Sequence, residues 1–171
     1  MEKKEMYTII SGTNRNDSNT IKVAQYYQQL LMKKGIEANL VSLVGLNVLE
    51  RNPAFTKIEM EELIPASKLI FITPEYNGSF PGVLKAMFDI SDTKKAWWGK
   101  KALLTGVSTG RAGNLRGMED LTGILHFLGV VVHPNKLPIS VIDKLKDQDG
   151  NLNDAATLGI IKKQLYEFIE F

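Results

Sequence analysis

The chain contains no cysteine. That absence excludes disulfide frameworks, thiolate zinc sites, cysteine-ligated iron–sulfur clusters and cysteine-nucleophile chemistry. Histidine is almost as scarce, with only His126 and His133, too few for a histidine-rich metal site. Excess charge of either sign is missing as well. The 21 Lys and Arg against 19 Asp and Glu leave a formal +2, which gives no electrostatic case for nucleic acid. No apolar run approaches the roughly 20 residues of a transmembrane helix. The run 6–10, behind a charged start, is too short for a signal-peptide core, and no small-residue cleavage site follows it. The expectation is a cytoplasmic protein with no membrane partner. At 171 residues, a single domain over 1–171 is expected. A chain of that length buries about 70% of its unfolded surface and needs no metal or disulfide staple.

What is present is an alternation of apolar runs and helix-like stretches. Residues 7–10 form a short β-branched run that stops at Ser11-Gly12-Thr13-Asn14. Residues 19–34 carry Ile21, Val23, Ala24, Tyr27, Leu30 and Leu31 at three-to-four spacing, and Gly35 stands where a helix C-cap belongs. Strands are predicted at 38–43, 69–73 and 102–107, and a fifth from 130–133, extended through 137–141. Residues 46–55 read as loop. Helices are predicted at 57–64, 81–90, 115–128 and 153–169. Five β-α repeats predict a parallel sheet with helices on both faces and right-handed crossovers.

In such sheets ligands bind beyond the carboxyl ends of the strands, near the point where strand order reverses. Three loops there have unusual composition. The first, residues 11–20, offers hydroxyls, amides and the Arg15 guanidinium ahead of a helix start, a setting that favours an anion. It is neither a dinucleotide fingerprint nor a Walker loop. It also reads as a capped helix, with Ser18 or Asn19 as cap and Arg15 in solvent. The second, residues 73–82, has two prolines and two glycines, a rigid backbone that a flat ligand can approach closely. The third, residues 108–114, is small and backbone-rich. It also reads as a loop that lets the helix from Leu115 lie close. Together they sketch a groove with a phosphate end and a flat end. No Ser-His-Asp set or pair of catalytic carboxylates is apparent, so no catalytic side chain and no metal ligand is assigned. Chemistry without such groups points to a cofactor that carries it.

The chain resembles the NADPH-dependent FMN reductases, the flavodoxin-like group that includes chromate and quinone reductases and azoreductases. Gly12-Thr13-Asn14-Arg15-Asn16-Asp17-Ser18-Asn19-Thr20 is similar to that family's G-S-x-R-x-x-S-x-N phosphate loop. Thr73-Pro74-Glu75-Tyr76-Asn77-Gly78-Ser79-Phe80-Pro81-Gly82-Val83-Leu84-Lys85 is similar to its T-P-E-Y-N-x-S-x-P-G-x-L-K segment. The resemblance implies an α/β flavodoxin-like three-layer sandwich with a five-stranded parallel sheet of order 2-1-3-4-5. It implies bound FMN, NADPH as co-substrate, and a homodimer or homotetramer. Carried over, Arg15, Ser18 and Thr20 hold the phosphate with help from Thr13. Pro74, Glu75, Tyr76, Asn77 and Gly78 line the isoalloxazine, and Thr109 and Gly110 border it. Arg111 and Ala112 stand where smaller residues are common in the family.

The implied activity is hydride transfer from NADPH to bound FMN, then electron transfer to a quinone, flavin or other small acceptor through the same site. The competing reading is an FMN-binding electron-transfer module without efficient pyridine-nucleotide turnover. A third is a binding domain that has lost its flavin. Other residues read as structural. Trp97-Trp98 reads as packing after a helix, Lys94-Lys95 and Lys100-Lys101 as solvated, and Met87 and Met118 as core or subunit contact. His126 reads as a satisfied helix residue, and His133-Pro134 as the end of the fifth strand.

Overall fold

The computed structural model describes residues 5–171. Its strands are β1 (Tyr7–Ser11), β2 (Ala38–Ser42), β3 (Lys68–Pro74), β4 (Lys101–Val107), β5 (Val131–Val132) and β6 (Leu137–Ile139). Its α-helices are α1 (Asn19–Lys33), α2 (Pro53–Ile58), α3 (Gly82–Ile90), α4 (Thr93–Ala96), α5 (Leu115–Phe127) and α6 (Ala155–Glu170). The sheet order is β2-β1-β3-β4-β5, every pairing is parallel, and β6 also pairs with β4. The flavodoxin-like order expected from the sequence is therefore present.

Both faces of the sheet are covered, which is why the central strands are apolar without alternation. Period-two geometry sends Ile10, Phe71 and Leu104 into a core with Leu84, Met87, Met118 and Leu121 of α3 and α5. It sends Ile9, Ile70, Ile72 and Leu103 to the other face, against Val23, Tyr27, Leu31, Ile161, Leu165 and Phe168 of α1 and α6. Trp97 is fully buried between Phe71 and Phe88, and its Nε1 donates to Ser91 Oγ at 2.6 Å. Trp98, by contrast, is exposed and lays its indole over Gly129.

Three expectations are corrected. The fifth strand is not continuous. β5 pairs with Lys101 and Ala102 at one end of β4, and β6 with Thr105, Gly106 and Val107 at the other. Pro134 lacks an N–H for the ladder, and Gln164 of α6 fills the gap, its Nε2 donating to Leu104 O at 3.1 Å and Asn135 O at 2.8 Å. The helix expected at 57–64 begins earlier, at Pro53, where Asn52 accepts from Phe55 N, and it runs into a π-helical stretch, Glu59–Leu63. Part of the stretch read as loop is therefore helix. Finally, Lys100 is buried rather than solvated. Its Nζ donates to the carbonyls of Leu63 and Ile64 at the end of the π-helical stretch. No helix among the described residues is long and apolar enough to cross a membrane.

Candidate functional site

The chain leaves β1 toward β2 on one side and returns to β3 on the other, so strand order reverses beside β1. The loops after β1, β3 and β4 meet beyond that point. Two neighbouring clefts lie among them. The larger, about 380 Å³, is polar and is lined by residues 15–20, Pro74, Glu75, Tyr76, residues 107–109, Ile142 and Lys146. The smaller, about 300 Å³, is lined by Glu75, Asn77, Gly78 and residues 108–112. They share Glu75, Ser108 and Thr109.

The β1–α1 loop is shaped by its own hydroxyls. Thr13 is fully buried, its Oγ1 accepting from Arg15 N at 3.2 Å and lying 2.6 Å from the Tyr76 hydroxyl. Arg15 stacks its guanidinium over the Tyr76 ring, 4.1 Å from the centroid. Ser18 is the N-cap of α1, in extended backbone, and accepts from Ile21 N at 3.2 Å. The first N–H groups of α1 have no intrahelical acceptor, and the residues that carry them, Asn19 and Thr20, line the larger cleft. Acid is present beside these donors as well: Asp17, in the left-handed region at φ 47°, lines the same cleft.

The β3–α3 loop is a tight reversal. Tyr76 and Ser79 exchange backbone hydrogen bonds at 2.9 and 3.2 Å around Asn77 (φ 53°) and Gly78 (φ 83°). Positive φ at both central residues is the type I′ signature that Asn-Gly favours. Ser79 Oγ anchors the turn by donating to Asp120 Oδ2 of α5 at 2.6 Å. The β4–α5 loop is folded on itself: Ser108 Oγ donates to Gly110 O at 2.9 Å and accepts from Gly113 N at 3.0 Å.

Asn114 fastens these two loops together. Fully buried and left-handed at φ 64°, it donates from Nδ2 to Thr73 O at 3.1 Å and Pro74 O at 2.9 Å. Its backbone N–H donates to Glu75 Oε2 at 3.2 Å. Close approach makes this possible. A Cβ on Gly106 would lie 2.1 Å from Gly113 O, and one on Gly117 would lie 2.1 Å from Asn114 Oδ1. At Gly78 and Gly110 the reverse holds, and a Cβ would meet nothing within 4 Å beyond the adjoining residues.

Of the residues singled out from the sequence, Arg15, Ser18, Thr20, Pro74, Glu75, Tyr76 and Thr109 line the larger cleft. Asn77, Gly78 and Gly110 line the smaller one, with Glu75 and Thr109 common to both. Thr13 alone lines neither and lies beneath the loop as its organiser. Sequence reasoning put Ser108 and Asn114 in the third loop without giving either a role, and it missed Ile142 and Lys146. Among the described residues no group of three potential metal ligands comes together.

Residues 7–143 match the family model of the NADPH-dependent FMN reductases. The chain belongs to that family. An NAD(P)H-dependent FMN reductase of Pseudomonas aeruginosa is 32% identical over 147 residues, 79% of this chain and 78% of that protein. A 2-hydroxy-1,4-benzoquinone reductase of a Burkholderia species is 25% identical over 171 residues, covering 95% and 91%. In fold, the flavoenzyme NAD(P)H:(acceptor) oxidoreductase FerB from Paracoccus denitrificans superposes with a TM-score of 0.78 at 23% identity, over 97% of this chain and 96% of that one. The chain is thus an oxidoreductase, and its activity class is FMN-dependent NAD(P)H oxidation with a quinone or flavin as acceptor. The reading as an electron carrier without nucleotide turnover gives way to it.

Proposed function

We propose that FMN lies across the two clefts, its phosphate at the start of α1 and its isoalloxazine along the turn after β3, and that NAD(P)H and the acceptor use the same open face in turn. One observation carries this reading: a guanidinium, two hydroxyls and a helix N-terminus converge on a polar cleft that shares three residues with a second cleft lined by Gly78 and Gly110. The residues fit the group. The open space beside Gly78 and Gly110 admits a flat ring, and the α1 end suits a dianion. When bound, FMN supplies the two-electron chemistry between nicotinamide and acceptor.

The chain's share is binding and orientation. Arg15 contributes a planar charge, Ser18 and Thr20 hydroxyl donors, and Asn19 and Thr20 backbone N–H groups. Thr13 holds the loop in shape from below. Pro74, Glu75, Tyr76, Asn77 and Gly78 line one side of the ring, and Thr109 and Gly110 the other. None of these has to act as acid, base or nucleophile. We also propose a cytoplasmic homodimer or homotetramer. Family membership supports the oligomer, and so do Leu115 and Phe127, which α5 leaves in solvent. Light scattering of the purified protein reads the subunit count.

Arg15→Ala tests the phosphate end. Removing a charge-assisted contact is expected to weaken FMN by about 1.5–3 kcal/mol, roughly 10- to 150-fold. Riboflavin, which lacks the phosphate, is expected to bind both proteins alike. Equal FMN affinity in the two proteins would remove the assignment.

A further inference from the structure

We propose that Lys146 is a second cation for the cofactor's phosphate, supplied from just beyond residues 7–143, the stretch that the family model matches. The proposal rests on the FMN reading above and extends it beyond the β1–α1 motif. The matched region ends at residue 143. Lys146 comes just after it, behind the 3-10 turn Ile142–Lys144. Its side chain retains 24% exposure and lines the same cleft as Arg15, Ser18 and Thr20.

The ammonium is held by two side chains. Lys146 Nζ donates to Asn19 Oδ1 at 3.2 Å and pairs with Asp143 Oδ1 at 2.6 Å. Asn19 Nδ2 donates to the same carboxylate oxygen at 3.3 Å. Asn19 is the first residue of α1 and follows the N-cap, so Lys146 is tied to the helix end where the phosphate is expected. The backbone around it is fixed too. Lys146 bridges to Leu152, Lys22 Nζ donates to Gly150 O at 2.9 Å, and Val141 N–H donates to Gly110 O at 2.8 Å.

The charge balance gives the proposal its logic. Arg15 and Lys146 are the cations that line the cleft, Asp17 and Glu75 line it as well, and Asp143 pairs with Lys146. Asp143 occupies Lys146 in this structure. A phosphate monoester carries more charge and more acceptor oxygens than a carboxylate, and it draws on the α1 N–H groups besides. The flexible lysine stem lets Nζ turn from Asp143 to the phosphate while the backbone stays in place. Asp143 is therefore a competitor of the phosphate for one ammonium, so loss of Lys146 and loss of Asp143 act in opposite directions. A lysine that only fastened the loop would make both losses act in the same direction, with no regard to phosphate.

The experiment titrates apoprotein with FMN and with riboflavin, following flavin fluorescence. It compares wild type, Lys146→Met, Lys146→Arg, Asp143→Asn and Arg15→Ala. Lys146→Met is expected to lower the FMN-to-riboflavin affinity ratio about tenfold, and Lys146→Arg to restore most of it. Asp143→Asn is expected to tighten FMN about threefold and leave riboflavin unmoved. An unchanged ratio in Lys146→Met beside a lowered one in Arg15→Ala overturns this inference alone. Unchanged ratios in both remove the phosphate reading as well. If Lys146→Met does not fold, Asp143→Asn decides by itself: tighter FMN with riboflavin unmoved supports the proposal, and unchanged or weaker FMN refutes it.

Discussion

Tyr76 joins the two ends of the site through two separate parts of one side chain. Its hydroxyl lies 2.6 Å from Thr13 Oγ1, and its ring carries the Arg15 guanidinium. Substitutions separate the parts. Tyr76→Phe keeps the platform under Arg15 and is expected to weaken FMN by about 0.5–1.5 kcal/mol, the worth of one hydrogen bond. Tyr76→Leu removes the cation–π contact as well and is expected to weaken it by about 1 kcal/mol more. Fluorescence titration of both variants checks the order, and equal losses would mean that Arg15 takes nothing from the ring. At this scale the sequence was legible where a site is contiguous. Residues 12–20 and 73–85 each form one string, and the cleft residues expected from them line it, apart from Thr13. The clasp made by Asn114 and the place of Lys146 were not legible, because their partners lie far off in the chain: Asn114 serves Thr73, and Lys146 serves Asn19. Only the fold brings them together.

Element by element, the strands were readable because a parallel sheet covered on both faces must be built from short apolar runs. Helix α1 was readable from its stripe and from Gly35, whose φ of 74° ends it. The start of α2 was missed because its signals, Asn52 as cap and Pro53 at N1, sit inside a polar stretch with one apolar anchor, Phe55. The broken fifth strand was missed for another reason: a glutamine 30 residues beyond Pro134 completes the ladder from the side. The contact between α5 and the β3–α3 turn is the element-scale feature on which the site depends most. A Cβ on Gly117 would lie 2.1 Å from Asn114 Oδ1 and 2.6 Å from Phe80 N, both in the clasp between the loops. Gly117→Ala, although a change that favours helix, is expected to destabilise the fold by about 1–3 kcal/mol through overpacking. It should also loosen FMN. A urea midpoint at or above that of wild type would contradict the crowding seen there.

Over the whole molecule, the two ends of the sheet carry opposite helix ends. The carboxyl end holds the α1 N-terminus. At the opposite end lysines meet helix C-termini: Lys68 Nζ donates to Phe168 O and Ile169 O of α6, Lys101 Nζ to Phe171 O, and Lys100 Nζ to Leu63 O and Ile64 O. Burial pushes the Lys100 ammonium down from 10.5 to about 8. Between those values the unfolded chain binds the proton that the folded chain has released. Stability from this group therefore rises with pH from about 8 to 10.5, and below 8 the burial penalty is fully present. Tyr7 and Tyr27, raised above their ordinary 10.0 chiefly by burial, act oppositely at the alkaline end. The difference between wild type and Lys100→Met isolates the lysine. Urea midpoints across this range should climb more steeply in wild type than in the variant, and parallel profiles would contradict the burial effect.

The claim that joins these scales is that one cleft holds FMN and opens it to NAD(P)H. Anaerobic mixing of the FMN-loaded protein with NADPH, followed by the flavin's visible absorbance, tests it most directly. The flavin is expected to bleach, and its colour to return when a quinone is added. A flavin that binds the protein and keeps its full absorbance under excess NADPH and excess NADH would contradict it.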